Sequence, residues 1–128
     1  MAKRKVIDPG WQWDDKIPLA QAVKVGEVLY ISGQIALDPS GALVGADDMK
    51  AQSQRVFGNI EAILRMAGGT LENVVKITAY LTDMSRYGEY NEVRGKFLKD
   101  HRPASTTVQV LALAFPGLLV EVEAVAHL

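Results

Sequence analysis

Two carboxylates near the end of the chain have the clearest potential for chemistry. Residues 119–126 alternate apolar and polar side chains, a period of two that predicts a β-strand. Glu121 and Glu123 fall on one side of that strand, and valine and alanine residues fall on the other. A pair of carboxylates on such a strand faces either open water or a polar pocket in which a carboxylate is used.

Neutral polar residues at strand ends and on a predicted helix are further candidates: Ser32, Asn91, Ser105 and Thr107. Each has an ordinary structural explanation, because Ser and Thr pair across strands and Asn on a helix usually contacts water. Taken one at a time, these residues therefore do not assign a function.

Several common kinds of chemistry lack the residues that they need. The chain has no cysteine, and its two histidines, His101 and His127, lie far apart and outside any cluster with metal-ligand spacing. It contains no Gly-x-Ser-x-Gly elbow, no P-loop and no Gly-x-Gly-x-x-Gly motif. We therefore expect no metal site, no cofactor, no thiol catalysis and no serine-hydrolase triad.

Length and composition predict one domain over residues 1–128. The net charge is −1 and the only basic run is Lys3-Arg4-Lys5, so we do not expect nucleic acid as a partner. No signal peptide or membrane-spanning run occurs in the sequence, which predicts a cytoplasmic protein. The chain is slightly rich in apolar residues, a surplus that small proteins often cover by self-association.

The first half of the chain predicts strands followed by a helix. Val6-Ile7 reads as a short strand, and Gly26-Glu27 suits a type II′ hairpin turn between two further strands. A glycine inside a strand, Gly33, indicates a bulge or a close approach by another group. A helix is expected from Asp47 or Asp48 to Gly68-Gly69, with Gly58 permitting close contact with the sheet. Trp11 and Trp13 are interpreted as a cap on the core edge, with a ligand-pocket wall as the alternative.

The second half adds a strand, a helix and two more strands. Residues 74–81 form the predicted central strand, and a helix capped by Asp83 or Ser85 ends at His101-Arg102-Pro103. Strands at 102–111 and 119–126 follow. This order predicts an α+β fold, with a mixed or antiparallel sheet and two helices on one face. We expect other copies of the chain, in a closed ring, to cover the second face.

Taken together, the polar residues fit a family pattern. The chain resembles the RidA/YjgF family, the reactive-intermediate (enamine/imine) deaminases, over about residues 20–126. The resemblance is carried by Gln21-Ala-Val, Gly26, Ile31-Ser-Gly-Gln34, Gln52, Asn59-Ile60, Ala67-Gly68, Val74-Val-Lys76, Tyr80-Leu-Thr-Asp83, Tyr90-Asn91, Pro103-Ala104 and Val120-Glu-Val-Glu-Ala-Val-Ala126. It implies a chorismate-mutase-like (ferredoxin-like) α+β fold and a homotrimer with a central β-barrel, in which small metabolites bind between subunits.

The resemblance also implies site residues and two departures from the family pattern. In deaminating members a glutamate on the last strand, here Glu121, lies near the water that attacks the imine, and Ser32 and Asn91 match pocket positions. An arginine after Pro-Ala grips the substrate carboxylate, but here that position is Ser105. Loss of charge-assisted hydrogen bonds predicts much weaker binding of 2-imino acids. Leu19 stands where many members have an aromatic residue.

Two classes of function remain open on the sequence. The first is a hydrolase or deaminase acting on a non-standard enamine or imine, with Glu121 orienting water. Ser32, Asn91, Ser105, Leu19 and Thr107 would then bind the substrate. The second is a non-catalytic trimer that binds a small metabolite. Arg102 is a candidate replacement for the missing arginine, although its odd offset from position 105 places it on the opposite side of a strand. RNA cleavage and chaperone-like activity, also linked to the family, rank lower.

Overall fold

The structure is a computed structural model that describes residues 3–128. It contains one six-stranded sheet in the order β1-β2-β3-β6-β4-β5 and two helices. The strands are β1 Arg4–Ile7, β2 Ala22–Val25, β3 Val28–Gln34, β4 Val74–Leu81, β5 Ala104–Gln109 and β6 Val120–His127, and the helices are α1 Met49–Met66 and α2 Tyr87–Leu98. Strands β4 and β5 run parallel, and all other neighbouring pairs are antiparallel. The predicted α+β class with a mixed sheet is confirmed.

The β2–β3 hairpin and the β3 bulge form where the glycines indicate. Gly26 has a φ of 59°, and Glu27 is not among the residues with positive φ, as a type II′ turn requires. The register between β3 and β6 shifts between Ile31 and Gln34, so Gly33 lies inside a bulge. The bulge bends β3 next to the β6 residues that carry the carboxylates.

Helix α1 has the predicted ends but lacks one predicted contact. The Asp48 side chain accepts a hydrogen bond from the Ala51 N–H, and Gly68 follows the helix with a φ of 87°. Gly58 was expected to permit close packing on the sheet, and this is wrong. A Cβ at Gly58 would meet no atom within 4 Å, so the position faces open space.

Helix α2 begins as expected but ends earlier than the sequence suggests. Asp83 accepts a hydrogen bond from the Ser85 N–H and starts a short 3-10 turn that continues into α2. The helix ends at Leu98 because Lys99 adopts a φ of 52°, so the predicted end at residues 101–103 is wrong. A left-handed residue terminates a helix before a downstream proline can act.

One face of the sheet is covered by helices and the other is open. The apolar side of β6 is buried and packs with α1, and the core continues through Leu29, Ile31, Val56, Phe57, Ile60, Ile63, Leu64, Ile77, Ala79 and Leu81. The paired tryptophans stack at 5.8 Å and pack against this core, as the cap interpretation requires, and Trp13 also lines a cleft with Leu43 and Phe115, as the pocket-wall alternative requires. On the open face, Tyr30 and Val108 remain exposed.

The sheet of one chain is open and does not close into a barrel, because β1 and β5 are free edges. A central barrel therefore needs strands from other chains, and the homotrimer stays a prediction. Neither α1 nor α2, nor any other helix in residues 3–128, combines the length and apolar character needed to cross a membrane.

Candidate functional site

The predicted site residues form two groups on opposite faces of the sheet. Ser105 pairs in register with Ile77, and Ile77 pairs with Ala124, both of which are buried under the helices. Residues paired across neighbouring strands point to the same face, so Ser105 lies on the helix-covered side. Glu121 pairs with Tyr80 one residue out of phase with Ala124 and therefore lies on the open side. One chain does not bring Glu121 and Ser105 together.

The Glu121 carboxylate occupies the space above Gly33. A Cβ at Gly33 would lie 2.3 Å from Oε2 of Glu121 and 2.8 Å from its Cδ, distances that no real side chain tolerates. The absence of a side chain in the β3 bulge therefore creates the room for this carboxylate. The close approach predicted for Gly33 is confirmed, and the approaching group is the principal catalytic candidate.

Glu121 and Glu123 have different surroundings although they share a face. The Tyr80 hydroxyl donates a hydrogen bond to Oε1 of Glu123 at 2.8 Å, and this bond raises the pKa of Tyr80. Glu121 is half-buried, and no hydrogen bond to its carboxylate forms within residues 3–128. Burial raises the pKa of Glu121, and the negative charge of Glu123 raises that pKa further. The Glu121 carboxylate is therefore more basic than an ordinary glutamate, and no hydrogen bond from the described residues occupies its oxygens.

Ser32 directly precedes Gly33, over which the Glu121 carboxylate lies, and Leu19 is the chain neighbour of the residue that Ser32 binds. The Ser32 hydroxyl donates to the carbonyl of Ala20 at 2.7 Å, which fixes the segment that carries Leu19 against β3. Leu19 is 56% exposed. In the same part of the fold, Nε2 of Gln34 donates to Oε1 of Gln21, and Nε2 of Gln21 donates to Oδ1 of Asp14. Ser32 thus positions the strand end here, while Leu19 offers an uncovered apolar side chain.

The second group surrounds a cleft of about 660 Å³ between α2 and β5, called here the α2–β5 cleft. Its lining residues are Met84, Tyr87, Asn91, Arg94, Gly95, Leu98, Lys99, His101, Arg102, Pro103, Ser105 and Thr107. The predicted residues Asn91, Ser105 and Thr107 meet here. Arg102 also lines this cleft, although strand alternation predicted the opposite side. Residues 102 and 103 precede β5, so alternation does not apply to them.

Arg94 is the residue of this cleft that sequence reasoning did not assign to the site. Its Nη1 donates to Oγ of Ser105 at 3.1 Å, and its Nη2 donates to the Tyr87 hydroxyl at 2.7 Å and to Oδ1 of Asn91. Helical spacing could have found it, since residues 87, 91 and 94 recur at steps of four and three on one face. The contact with β5 could not be read from that spacing.

Comparison with known proteins decides the family. The family model described as Endoribonuclease L-PSP matches residues 14–128. The chain belongs to the RidA/YjgF family. It is 38% identical over 109 residues to a mouse protein named 2-iminobutanoate/2-iminopropanoate deaminase, covering 85% of this chain and 80% of the mouse protein. A RutC family protein of Pyrococcus abyssi is 40% identical, with 86% of each chain covered.

Solved RidA structures have the same fold. The crystal structure of RidA from the Antarctic bacterium Psychrobacter has 43% identity and a TM-score of 0.82, over 88% of this chain and 89% of that one. The Rid family protein YyfA from Yersinia pestis has 34% identity and a TM-score of 0.91, over 98% of this chain and all of that one. The chorismate-mutase-like fold expected of RidA proteins is therefore confirmed for this chain.

Proposed function

We propose that this protein is a hydrolytic deaminase of a reactive enamine or imine. The observation that carries the proposal is the Glu121 carboxylate, half-buried above Gly33, with a raised pKa and no hydrogen-bond partner among the described residues. Such a group can hold a water molecule and take a proton from it, because a carboxylate with a raised pKa is a stronger base. The mouse relative, named for deamination of 2-iminobutanoate, supports the same reaction class.

The proposed reaction needs only water and the imine. Glu121 accepts a proton as the water oxygen forms a bond to the imine carbon, which converts the C=N bond to C–N. Glu121 then returns that proton to nitrogen, which gives a carbinolamine with a hydroxyl and an amino group on one carbon. Glu121 next takes the hydroxyl proton and delivers it to the same nitrogen, and the C–N bond breaks so that ammonia leaves as the carbonyl forms. An enamine enters the same sequence after its imine tautomer forms. Because water and the imine supply all the atoms of the products, the reaction requires no cofactor.

A complete site in this proposal is shared between two chains. Glu121 lies on the open face and the α2–β5 cleft lies on the other, so one chain supplies the water-binding group and a neighbour supplies the cleft. The exposed apolar residues of the open face support an assembly that covers it. In the trimer, Ser32 and Leu19 would line the Glu121 side, and Asn91, Ser105 and Thr107 would contact the substrate from the cleft.

The test is ammonia release from imines generated in situ by an amino acid oxidase. Native protein should exceed the uncatalysed rate, and Glu121→Gln should lower its rate by about 10²-fold or more, the usual contribution of a positioned acid–base group. Glu123→Gln is the matched control, since Glu123 shares the strand and face but bonds to Tyr80. The control should stay within a few-fold of native.

Two results would count against the proposal. If native protein never exceeds the uncatalysed rate with any imine, the alternative of a non-catalytic metabolite-binding protein replaces it. If activity persists in Glu121→Gln, the role of Glu121 is wrong. RNA cleavage, named in the family description, is not proposed, because a chain of net charge −1 has no general attraction for RNA.

A further inference from the structure

The α2–β5 cleft is lined by cations without a compensating carboxylate. Arg94, Lys99 and Arg102 line it together with His101, and no Asp or Glu belongs to the lining. Elsewhere in the described chain, Arg86 forms salt bridges with Asp47 and Glu89, and Lys50 forms one with Glu92. A small cleft with several positive charges and no negative one is suited to an anionic ligand.

Arg94 is held in place by neutral groups only. Its guanidinium donates to two hydroxyls and one amide oxygen, on Ser105, Tyr87 and Asn91, and lies over the rings of Tyr87 and Tyr90 at 5.5 and 5.2 Å. These contacts fix its position and leave its charge unneutralised. Three of the five guanidinium N–H donors are used in them, so two remain for a ligand.

The position of this guanidinium matters because of Ser105. The family resemblance implies an arginine there that binds the substrate carboxylate, and Nη1 of Arg94 lies 3.1 Å from the Ser105 hydroxyl. A positive charge therefore stands beside position 105 although the residue itself is neutral. It comes from a neighbouring helix and not from β5.

We infer that Arg94 binds the carboxylate of a small 2-imino or 2-keto acid in the α2–β5 cleft, with Ser105, Tyr87 and Asn91 positioning its guanidinium. The inference rests on the proposed function and names its substrate class. It replaces the expectation, drawn from Ser105, of much weaker binding of 2-imino acids, and it makes Arg94 the main cation, with Arg102 as a further lining residue.

The experiment measures equilibrium binding of 2-oxobutanoate and its neutral amide, 2-oxobutanamide, to the full chain by calorimetry or NMR titration. Native protein should prefer the acid by about 10- to 100-fold, since a charge-assisted contact distinguishes the two probes. Arg94→Gln should abolish this preference, and Arg94→Lys should restore part of it. The exposed Arg65 lies outside the cleft, so Arg65→Gln is the control and should keep the preference.

A second variant tests the charge without removing Arg94. Asn91→Asp places a carboxylate beside the guanidinium and should remove most of the preference for the acid. The inference is overturned if native protein shows no preference for the acid up to about 10 mM ligand, or if Arg94→Gln and Asn91→Asp both retain the preference.

Binding of a keto acid needs no turnover, so its outcome is separate from that of the deaminase proposal. Loss of the acid preference in Arg94→Gln, with no ammonia release by native protein, would support the binding site and reject the deaminase. If native protein releases ammonia, and Arg94→Gln changes neither this activity nor the acid preference, the deaminase is supported and the Arg94 binding site is rejected.

Discussion

At the scale of single residues, Gly33 controls where the Glu121 carboxylate can lie. Gly33→Ala would place a methyl group within 2.3 Å of Oε2, and the flexible end of Glu121 would move away. We expect ammonia release to fall by about 10²-fold while the free energy of unfolding changes by less than about 1 kcal/mol. Activity assays and urea unfolding measure the two effects. Gly58→Ala, where a methyl group meets nothing, is the control, and equal activity loss in both variants would contradict this explanation.

The raised pKa of Glu121 also predicts a pH dependence of stability. The folded protein binds the Glu121 proton more tightly than the unfolded chain does, so this group's contribution to stability is present below the ordinary glutamate pKa. It is lost as pH rises through the folded pKa. The free energy of unfolding of Glu121→Gln, measured relative to that of native protein, should therefore increase as pH rises from acid to neutral.

Urea unfolding across that pH range measures the effect of Glu121. Glu92 provides the opposite control, because its hydrogen bond and charge pairing with Lys50 lower its pKa. The free energy of unfolding of Glu92→Gln, relative to that of native protein, should decrease as pH rises over the same range. If the relative stability of both variants changed with pH in the same direction, the cause given for the raised pKa of Glu121 would be contradicted.

At the scale of elements, the buried Gln52 of α1 holds the start of β6. Its Nε2 donates to the carbonyls of Gly45 and Gly117, and its Oε1 accepts from the Leu119 N–H. Gln52→Met would leave these part-buried backbone groups without partners and should lower the free energy of unfolding by about 2–4 kcal/mol. Gln54→Met, at an exposed position of the same helix, should change it by less than about 0.5 kcal/mol. Equal effects in thermal or urea unfolding would show that the three bonds contribute little.

Local features of the elements were predictable, and long-range positions were not. The Gly26 turn, the Gly33 bulge and the Asp48 cap depend on residues close in sequence, so local patterns suffice. The insertion of β6 between β3 and β4 depends on pairing between distant segments, which no local period encodes. Helical spacing groups Arg94 with Tyr87 and Asn91 on one face of α2, but its contact with Ser105 depends on where β5 packs.

At the scale of the whole molecule, a site shared between chains predicts complementation. Glu121→Gln removes the group on one face, and Arg94→Gln removes the group on the other. In a cyclic trimer, a mixed assembly of the two variants contains one site with both native groups. Random mixing by co-unfolding and refolding should therefore restore about a quarter of native activity, although each variant alone is nearly inactive.

Sedimentation analysis of the mixture would test whether trimers form, and mixing the folded variants without exchange is the control. Activity no higher than the sum of the separate variants would mean that the two groups do not act in one site.

The placement of the two groups on opposite faces also has an evolutionary consequence. Under the proposed function, substitutions on α2 and β5 would change which metabolite is bound without disturbing the packing of Glu121 against Gly33. Two diverged gene copies whose products still assemble together would form hybrid sites, each with the specificity of one parent and the acid–base group of the other. New substrates could thus arise by recombining subunits, before any further change in either sequence.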